Sequence, residues 1–324
     1  MRAVRVHVLE GPKSLKVDEL PTPEPSDGEV RIDVRAAGVN FPDVLLSYGK
    51  YQFKPEPPFV PGGEAAGVVS AVGPGVTTVK KGDRVAATMV NGAFAESVVV
   101  SELACVKVPE AVSFEAAAAA TLTYGTTIHA LVDRAKLQAG ETLLVLGAAG
   151  GVGVAAIQLG KVLGARVIAA ASGAEKLTFC RAQGADEVID YGKEDLKDRT
   201  KALTNGDGAN VIYDPVGGRY SEQALRAIAW EGRHLVVGFA AGEIPKMPLN
   251  LLLLKGCQVL GVFWGQFAMR EIDKNRANIA QVLGWVAEGK LKPQIDATLK
   301  FAQATEALER LERRAVKGKV VLVP

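Results

Sequence analysis

An α/β fold is predicted, with a doubly wound parallel sheet in the middle of the chain and a mostly-β domain before it. Three observations predict this. Residues 142–172, TLLVLGAAGGVGVAAIQLGKVLGARVIAAAS, read strand, glycine turn, helix, strand. From about residue 125 to 262 apolar strand-like runs alternate with helical stretches, the pattern of a parallel sheet with crossover helices. Residues 1–115 carry short alternating runs separated by turn clusters, which read mostly as β.

The elements follow in order. Runs such as Val30–Val34 and Val98–Val100 lie between turn clusters at Glu10-Gly11-Pro12, Pro21 to Gly28, Gly73-Pro74-Gly75 and Lys81-Gly82-Asp83. Strong helical periodicity is missing until Ser113, which is placed to cap a helix over Phe114–Leu122. Leu143 to Leu146 form the short apolar run that a fully buried parallel strand needs. Helices over Ala174–Gln183 and Ser221–Ala229 fit between strands at 187–190, 210–214 and 234–239. Past 263, Asp273 caps an amphipathic helix with Ile279, Val282, Leu283 and Val286 on one face. A second helix carries Ala304, Ala307, Leu308 and Leu311, and a strand over Val320–Val323 closes the chain. This order predicts a first domain at 1–122, a sheet domain at 123–262, and a return at 263–324 that folds back onto the first domain, with a ligand cleft between the two.

Gly147, Gly150, Gly151 and Gly153 stand between the buried strand and the next helix, spaced G-x-x-G-x-x-G with one glycine extra. A glycine turn there lets backbone N–H groups approach a pyrophosphate at the positive end of the helix dipole. The surrounding strand and helix are the context that makes such a motif a dinucleotide site. An NAD site usually ends its second strand with an acid for the ribose 2′-hydroxyl. Here the strand ends Ala169-Ala170-Ala171-Ser172, followed by Glu175 and Lys176. A hydroxyl and an ammonium suit a 2′-phosphate, so the residues favour NADPH. Ser172 also reads as a helix N-cap, and Lys176 as a solvated surface lysine.

The composition narrows the function classes. Apolar residues at 48% and charged residues at 23% describe an ordinary globular chain of 324 residues. The formal net charge of +2 and the lack of a basic stripe argue against a nucleic-acid partner. No apolar run of about 18 residues predicts a membrane span. Cys105, Cys180 and Cys257 lie far apart with no C-x-x-C pair, which suits a reducing, cytoplasmic setting. The apolar segment Leu249–Val262 reads as an edge strand that would aggregate unless paired, which predicts a homodimer with a continuous sheet; burial within one chain is the other reading.

Several strings together resemble the medium-chain dehydrogenase/reductase superfamily over essentially the whole chain, and within it the zinc-independent quinone oxidoreductases, the group of zeta-crystallin. They are AAGVNFPD at 36–43, PGGEAAGVVSAVGPGV at 61–76, KKGDRV at 80–85, GAFAESV at 92–98, GAAGGVGVAAIQLGK at 147–161 and GKVVLVP at 318–324. The resemblance implies a GroES-like, mostly-β catalytic domain and a Rossmann domain. Zinc-dependent members of this superfamily carry a cysteine where this chain has Asn40 and a histidine where it has Gly63. A third ligand should fall near Leu122-Thr123-Tyr124, and His7, His129 and His234 have no ligand spacing. No metal is therefore expected, and without a Lewis acid a conjugated acceptor is easier to reduce than an alcohol is to oxidise.

The resemblance also implies the site residues. It places the backbone of Gly150, Gly151 and Val152 on the pyrophosphate, and Ser172, Lys176 and Tyr191 around the adenosine 2′-phosphate. Tyr191 otherwise reads as a surface aromatic. Thr127, Phe239 and Phe263 fall at the nicotinamide half, and the two phenylalanines read equally well as core. Lys319 falls at the pyrophosphate, or opens an edge strand as a solvated lysine. Asn40, Asp43 and Tyr51 line the acceptor pocket: Asn40 to orient nicotinamide or substrate, Asp43 to hold its loop, and Tyr51 as proton donor or pocket wall. Glu64 reads as a buried acid of open role. The function implied is NADPH-dependent reduction of quinones. Two other readings stand beside it: an enoyl thioester or enone reductase, and an NADPH-binding protein of low turnover.

Overall fold

Alternation of side chains builds the first half of the chain. In the computed structural model, which describes residues 1–324, β1 (Arg2–Val6) and β2 (Leu15–Glu19) pair antiparallel. β3 (Glu29–Val39) alternates buried and half-buried residues and is then buried on both faces over 36–39. Its end leads into α1 (Phe41–Ser47), a helix that the sequence pattern does not announce because it is only seven residues long. α1 is set instead by a capping box: Asp43 Oδ2 accepts the Asn40 N–H at 2.8 Å. β4 (Glu64–Val72), β5 (Arg84–Thr88), β6 (Ser97–Ser101) and β7 (Cys105–Lys107) follow.

The cap expected at Ser113 is present, its Oγ accepting the Ala116 N–H at 3.1 Å. The helix it starts, α2 (Phe114–Ile128), runs past Leu122 and continues as a wide π turn over His129–Arg134. Its buried threonines return their hydroxyls to the preceding turn, Thr121 to Ala117 O and Thr127 to Thr123 O, so the polar residues do not interrupt it.

Six parallel strands then form one sheet: β8 (Thr142–Leu146), β9 (Arg166–Ala171), β10 (Glu187–Asp190), β11 (Ala209–Asp214), β12 (Ile228–Val236) and β13 (Gln258–Gly261), in the order β10-β9-β8-β11-β12-β13. The order reverses between β8 and β11, which is the switch point where such sheets bind ligands. α3 (Gly151–Val162), α4 (Ala174–Ala182), α5 (Leu196–Leu203), α6 (Arg219–Arg226), α7 (Leu249–Lys255) and α8 (Trp264–Arg270) connect or follow the strands. α5, missed in the sequence, is polar over LKDRTKAL and is fixed by Asp195, whose side chain accepts the Asp198 N–H. Ala229 belongs to β12, not to α6, and β12 ends at Val236 instead of 239.

The apolar segment 249–262 is not one strand. Pro248 before it and Gly256, at φ 56°, after it bracket seven residues rich in leucine, a good helix former, and only Gln258–Gly261 pairs as the sheet edge.

α9 (Ile272–Ala287) has Glu271 at its N-cap, with Asp273 inside the first turn. β14 (Ile295–Lys300), α10 (Ala304–Glu312) and β15 (Lys319–Val323) complete the chain. β15 is not an edge: it lies between β14 and β3 in a seven-stranded sheet ordered β14-β15-β3-β4-β5-β7, with β6 also paired to β3. Two compact units result, residues 1–122 with 270–324, and residues 123–269. The chain returns to the first unit at Arg270, after α8, rather than at 263. No helix is long and apolar enough to cross a membrane.

Candidate functional site

Two groups of side chains carry chemistry, one in each unit. In the second unit, β8 is fully buried from Leu143 to Leu146 and delivers the chain into the glycine turn. Gly147 takes a φ of 58°, a left-handed conformation that glycine adopts without strain. Gly150 is the N-cap of α3, no side chain caps the helix start, and no acid stands in its first turn. The first N–H groups of α3 therefore lack a partner within the helix and point outward under the positive end of its dipole. At Gly153 a Cβ would sit 2.7 Å from the Cα and carbonyl carbon of Ala148, so only glycine lets α3 press against the turn. This cradle fits a pyrophosphate, with Gly150, Gly151 and Val152 at its rim.

The neighbouring strand ends confirm the missing acid. β9 ends at Ala171, and Ser172 is exposed; Gly173, not Ser172, is the N-cap of α4. Lys176 lies half-buried in the first turn of α4. The acid that closes the neighbouring strand β10, Asp190, is buried and turned inward: its Oδ1 accepts the N–H groups of Gly192 at 3.1 Å and Gly173 at 3.4 Å, while Glu175 stands exposed in the first turn of α4. Asp190 thus ties the loop after β9 to the loop after β10 and sets Ser172 beside Tyr191. Its signal in the sequence is an acid that closes a strand before Tyr-Gly.

The residues assigned to the nicotinamide half divide. Phe239 and Phe263 are 38% and 54% exposed, so neither is a core aromatic. Thr127 is fully buried, its hydroxyl bonded to Thr123 O at 2.7 Å and to Tyr213 Oη at 2.9 Å. Beside them Asp214 closes β11 and gathers donors from Val216 N, Gly217 N, Ser221 Oγ and His234 Nε2. Burial pushes its carboxyl up, but these hydrogen bonds outweigh burial and hold it below the usual carboxylate range.

In the first unit two of the acceptor-pocket candidates, Asn40 and Asp43, belong to a buried polar cluster. Lys319, opening β15, is only 4% exposed. Its Nζ donates to Asn40 Oδ1 at 2.6 Å, Glu64 Oε1 at 2.7 Å and Val39 O at 2.9 Å. All three of its protons have acceptors, which corrects the expectation that it reaches a pyrophosphate or solvent. Residue 319 falls inside a sheet because β14 continues beyond β15, which the sequence does not reveal. Asn40 Nδ2 donates to Glu64 Oε1 at 2.8 Å, and Glu64 Oε2 accepts the Leu122 N–H at 2.5 Å. The Asn40 amide is thereby locked, oxygen toward the ammonium and nitrogen toward the carboxylate. Its work in this structure is to join α1, β4 and β15, so its expected role of orienting a ligand has no free donor behind it.

Asp43 does hold its loop, its two oxygens accepting Asn40 N and Gly62 N. Burial raises its carboxyl to about 7, against the pull of these amides and of Lys319 and with a push from Glu64. The folded chain therefore holds this proton more tightly than the unfolded chain, in which Asp titrates near 4. Between roughly pH 4 and pH 7 the folded state carries the extra proton, and stability falls as pH rises through that window. Asp43→Asn cannot ionise and is expected to flatten this part of the profile. Urea unfolding from about pH 4 to about pH 8 measures it, and parallel profiles for the two proteins would refute the assignment. Tyr51 is half-exposed and packs by Val6, Leu46 and Phe59. Burial, then the charge of Asp43, raises its phenol above the ordinary value, so it stays protonated at neutral pH.

No group of three or more His, Cys, Asp or Glu side chains is placed to hold a metal. At the Asn40–Glu64 position an ammonium already fills the place of a cation and would repel Zn²⁺, so the donor set does not fit zinc.

The family model "Alcohol dehydrogenase GroES-like domain" matches residues 26–110, and "Zinc-binding dehydrogenase" matches residues 151–287. A quinone oxidoreductase-like protein 2 homolog of Nematostella vectensis is 42% identical over 99% of this chain and 88% of its own length. The crystal structure of Escherichia coli quinone oxidoreductase complexed with NADPH superposes with a TM-score of 0.93, at 31% identity, covering 100% of both chains. A crystal structure described as an NAD-dependent alcohol dehydrogenase superposes with a TM-score of 0.91, at 34% identity, over 100% of both chains.

Proposed function

Because this chain belongs to the medium-chain dehydrogenase/reductase superfamily of oxidoreductases, we propose that it is an NADPH-dependent quinone reductase, passing hydride to quinones or other conjugated carbonyls without a metal. The observation that carries the reading is the uncapped glycine start of α3 beside a strand that ends at Ala171 and is followed by Ser172, with no acid at the strand tip. Gly150, Gly151 and Val152 would hold the pyrophosphate, and Ser172, Lys176 and Tyr191 the 2′-phosphate. When bound, the nicotinamide supplies the hydride; the protein orients an acceptor over it. The NADPH-bound quinone oxidoreductase and the NAD-dependent relative share this backbone, so the side chains at the strand tip, not the fold, support the choice of NADPH.

Asp43 positions the α1 loop, and Tyr51 offers a neutral phenol to the acceptor. A reduced quinone takes its protons readily from water, whereas a reduced enoyl thioester leaves a carbanion that needs a donor. The half-exposed phenol keeps enoyl reduction as the second reading. NADPH oxidation followed with a panel of quinones and enoyl thioesters separates them. The expected outcome is turnover of quinones with a kcat/KM for NADPH at least about tenfold above that for NADH, and a Tyr51→Phe variant within about threefold of wild type. A loss of about a hundredfold confined to enoyl thioesters would transfer the assignment to enoyl reduction. Binding of NADPH with no turnover across the panel would leave the low-turnover reading. The proposal includes a homodimer through the open edge of β13 and the exposed Leu249, Leu253 and Leu254 of α7, an apolar face unusual for a monomer.

A further inference from the structure

β11 runs into Asp214-Pro215-Val216-Gly217-Gly218, and the Asp214 carboxylate holds this turn by the Val216 and Gly217 N–H groups, each at 2.9 Å. Two left-handed glycines, at φ 71° and 58°, then launch α6 with Arg219 as its first residue. Arg219 is exposed, yet ordered: its Cζ lies 4.9 Å from the centroid of the Tyr220 ring, and Nη2 donates to Tyr220 Oη at 2.9 Å. The Tyr220 ring in turn packs on Tyr191 at 4.4 Å between centroids. Tyr191 donates its N–H to Ala171 O, and its neighbour Gly192 adjoins the Ser172 side chain. One contiguous run therefore joins Ser172, Gly192, Tyr191, Tyr220 and Arg219.

The acids nearby are committed elsewhere. Asp190 faces backbone N–H groups, Glu194 bonds the Asp190 N–H and pairs with Arg199, and Glu222 pairs with Arg226. Arg219 makes no ion pair. A guanidinium that is already ordered on an aromatic ring, with donors to spare and no carboxylate, matches the oxygens of a phosphate monoester. The pyrophosphate has its own place at α3, which leaves the 2′-phosphate.

We infer that Arg219, perched on the Tyr220–Tyr191 stack, is a specificity-determining residue for a 2′-phosphorylated adenosine. The inference rests on the NADPH reading above and adds a residue to it. Calorimetric titration of wild type and Arg219→Gln with adenosine 2′,5′-bisphosphate and with 5′-AMP tests it without catalysis. The expected result is a loss of about tenfold for the bisphosphate in the variant, with 5′-AMP changed by less than about twofold. Equal losses for both ligands would place Arg219 on the adenine or 5′-phosphate and overturn the specificity role. An unchanged variant, with wild type still preferring the bisphosphate, would remove Arg219 from the site and leave the cofactor reading standing. A wild type with no preference for the bisphosphate would bring down the cofactor reading, and this inference with it.

Discussion

Lys319→Met is expected to destabilise the first unit by about 3–5 kcal/mol, the usual cost of removing one partner of a buried ion pair. The effect is large because the ammonium serves three acceptors at once, and the carboxylate it faces, Glu64, has no exposed surface. Methionine fills most of the volume but leaves the Glu64 carboxyl without its partner in a dry site, with Asp43 close by. The orphaned carboxyl, rather than a cavity, is the cause. Glu64→Gln in the Lys319→Met background is therefore expected to recover a substantial part of the loss, since a neutral amide needs no counter-ion. Urea denaturation of the single and double variants measures both quantities. A single variant within about 1 kcal/mol of wild type, or a double variant no better than the single, would mean that the pair does not hold this sheet together.

Gly153→Val is expected to weaken NADPH binding by well over tenfold and to cost about 1–3 kcal/mol of stability. The added Cβ would meet the Gly147 carbonyl oxygen and sit 2.7 Å from the Ala148 backbone. Backbone cannot rotate aside as a side chain can, so the first turn of α3 must lift from the end of β8. The N–H groups of Gly151 and Val152 go with it, and the aim of the cradle is lost. Gly150→Ala provides the contrast. Its φ is −80°, and a Cβ there meets only the Gly147 oxygen at 3.5 Å, an ordinary contact. That variant is expected to keep its stability within about 0.5 kcal/mol while still hindering the close approach of a ligand. Thermal unfolding without ligand, paired with fluorescence titration of NADPH, separates the two effects. Undiminished binding by Gly153→Val would show that the turn is not the pyrophosphate site.

What the sequence discloses and what it hides follow from the range of the forces involved. Local periodicity is visible in the chain itself, so the buried run Leu143–Leu146, the glycine turn and the alternation of helix and strand from 125 onward could be read directly. The lack of an acid at Ser172 is likewise a one-residue observation. α1 and α5 escaped because each is short and begins with a capping interaction, a hydrogen bond that leaves little apolar period. The leucines at 251–254 suit a strand as well as a helix because an apolar run does not announce its period; the bracketing Pro248 and Gly256 decide for helix. The place of Lys319 is hidden for a different reason. Whether a lysine at the start of a strand is solvated depends on what lies on both sides of that strand, here β14 and β3, the latter some 280 residues away along the chain. Arg219 and Tyr220 were invisible for the same reason, since their partner Tyr191 comes from a different crossover.

The position of β15 also bears on how the protein is made. Synthesis proceeds from the N-terminus, and domains tend to fold as they emerge. The second unit is continuous from 123 to 269 and can close as soon as it leaves the ribosome. The first cannot: β3 waits for an inner neighbour that is translated after the whole second unit, and Glu64 waits for the Lys319 ammonium. Until then the older half of the chain carries an unpaired edge and a stranded carboxylate, the state in which a nascent chain most needs a chaperone.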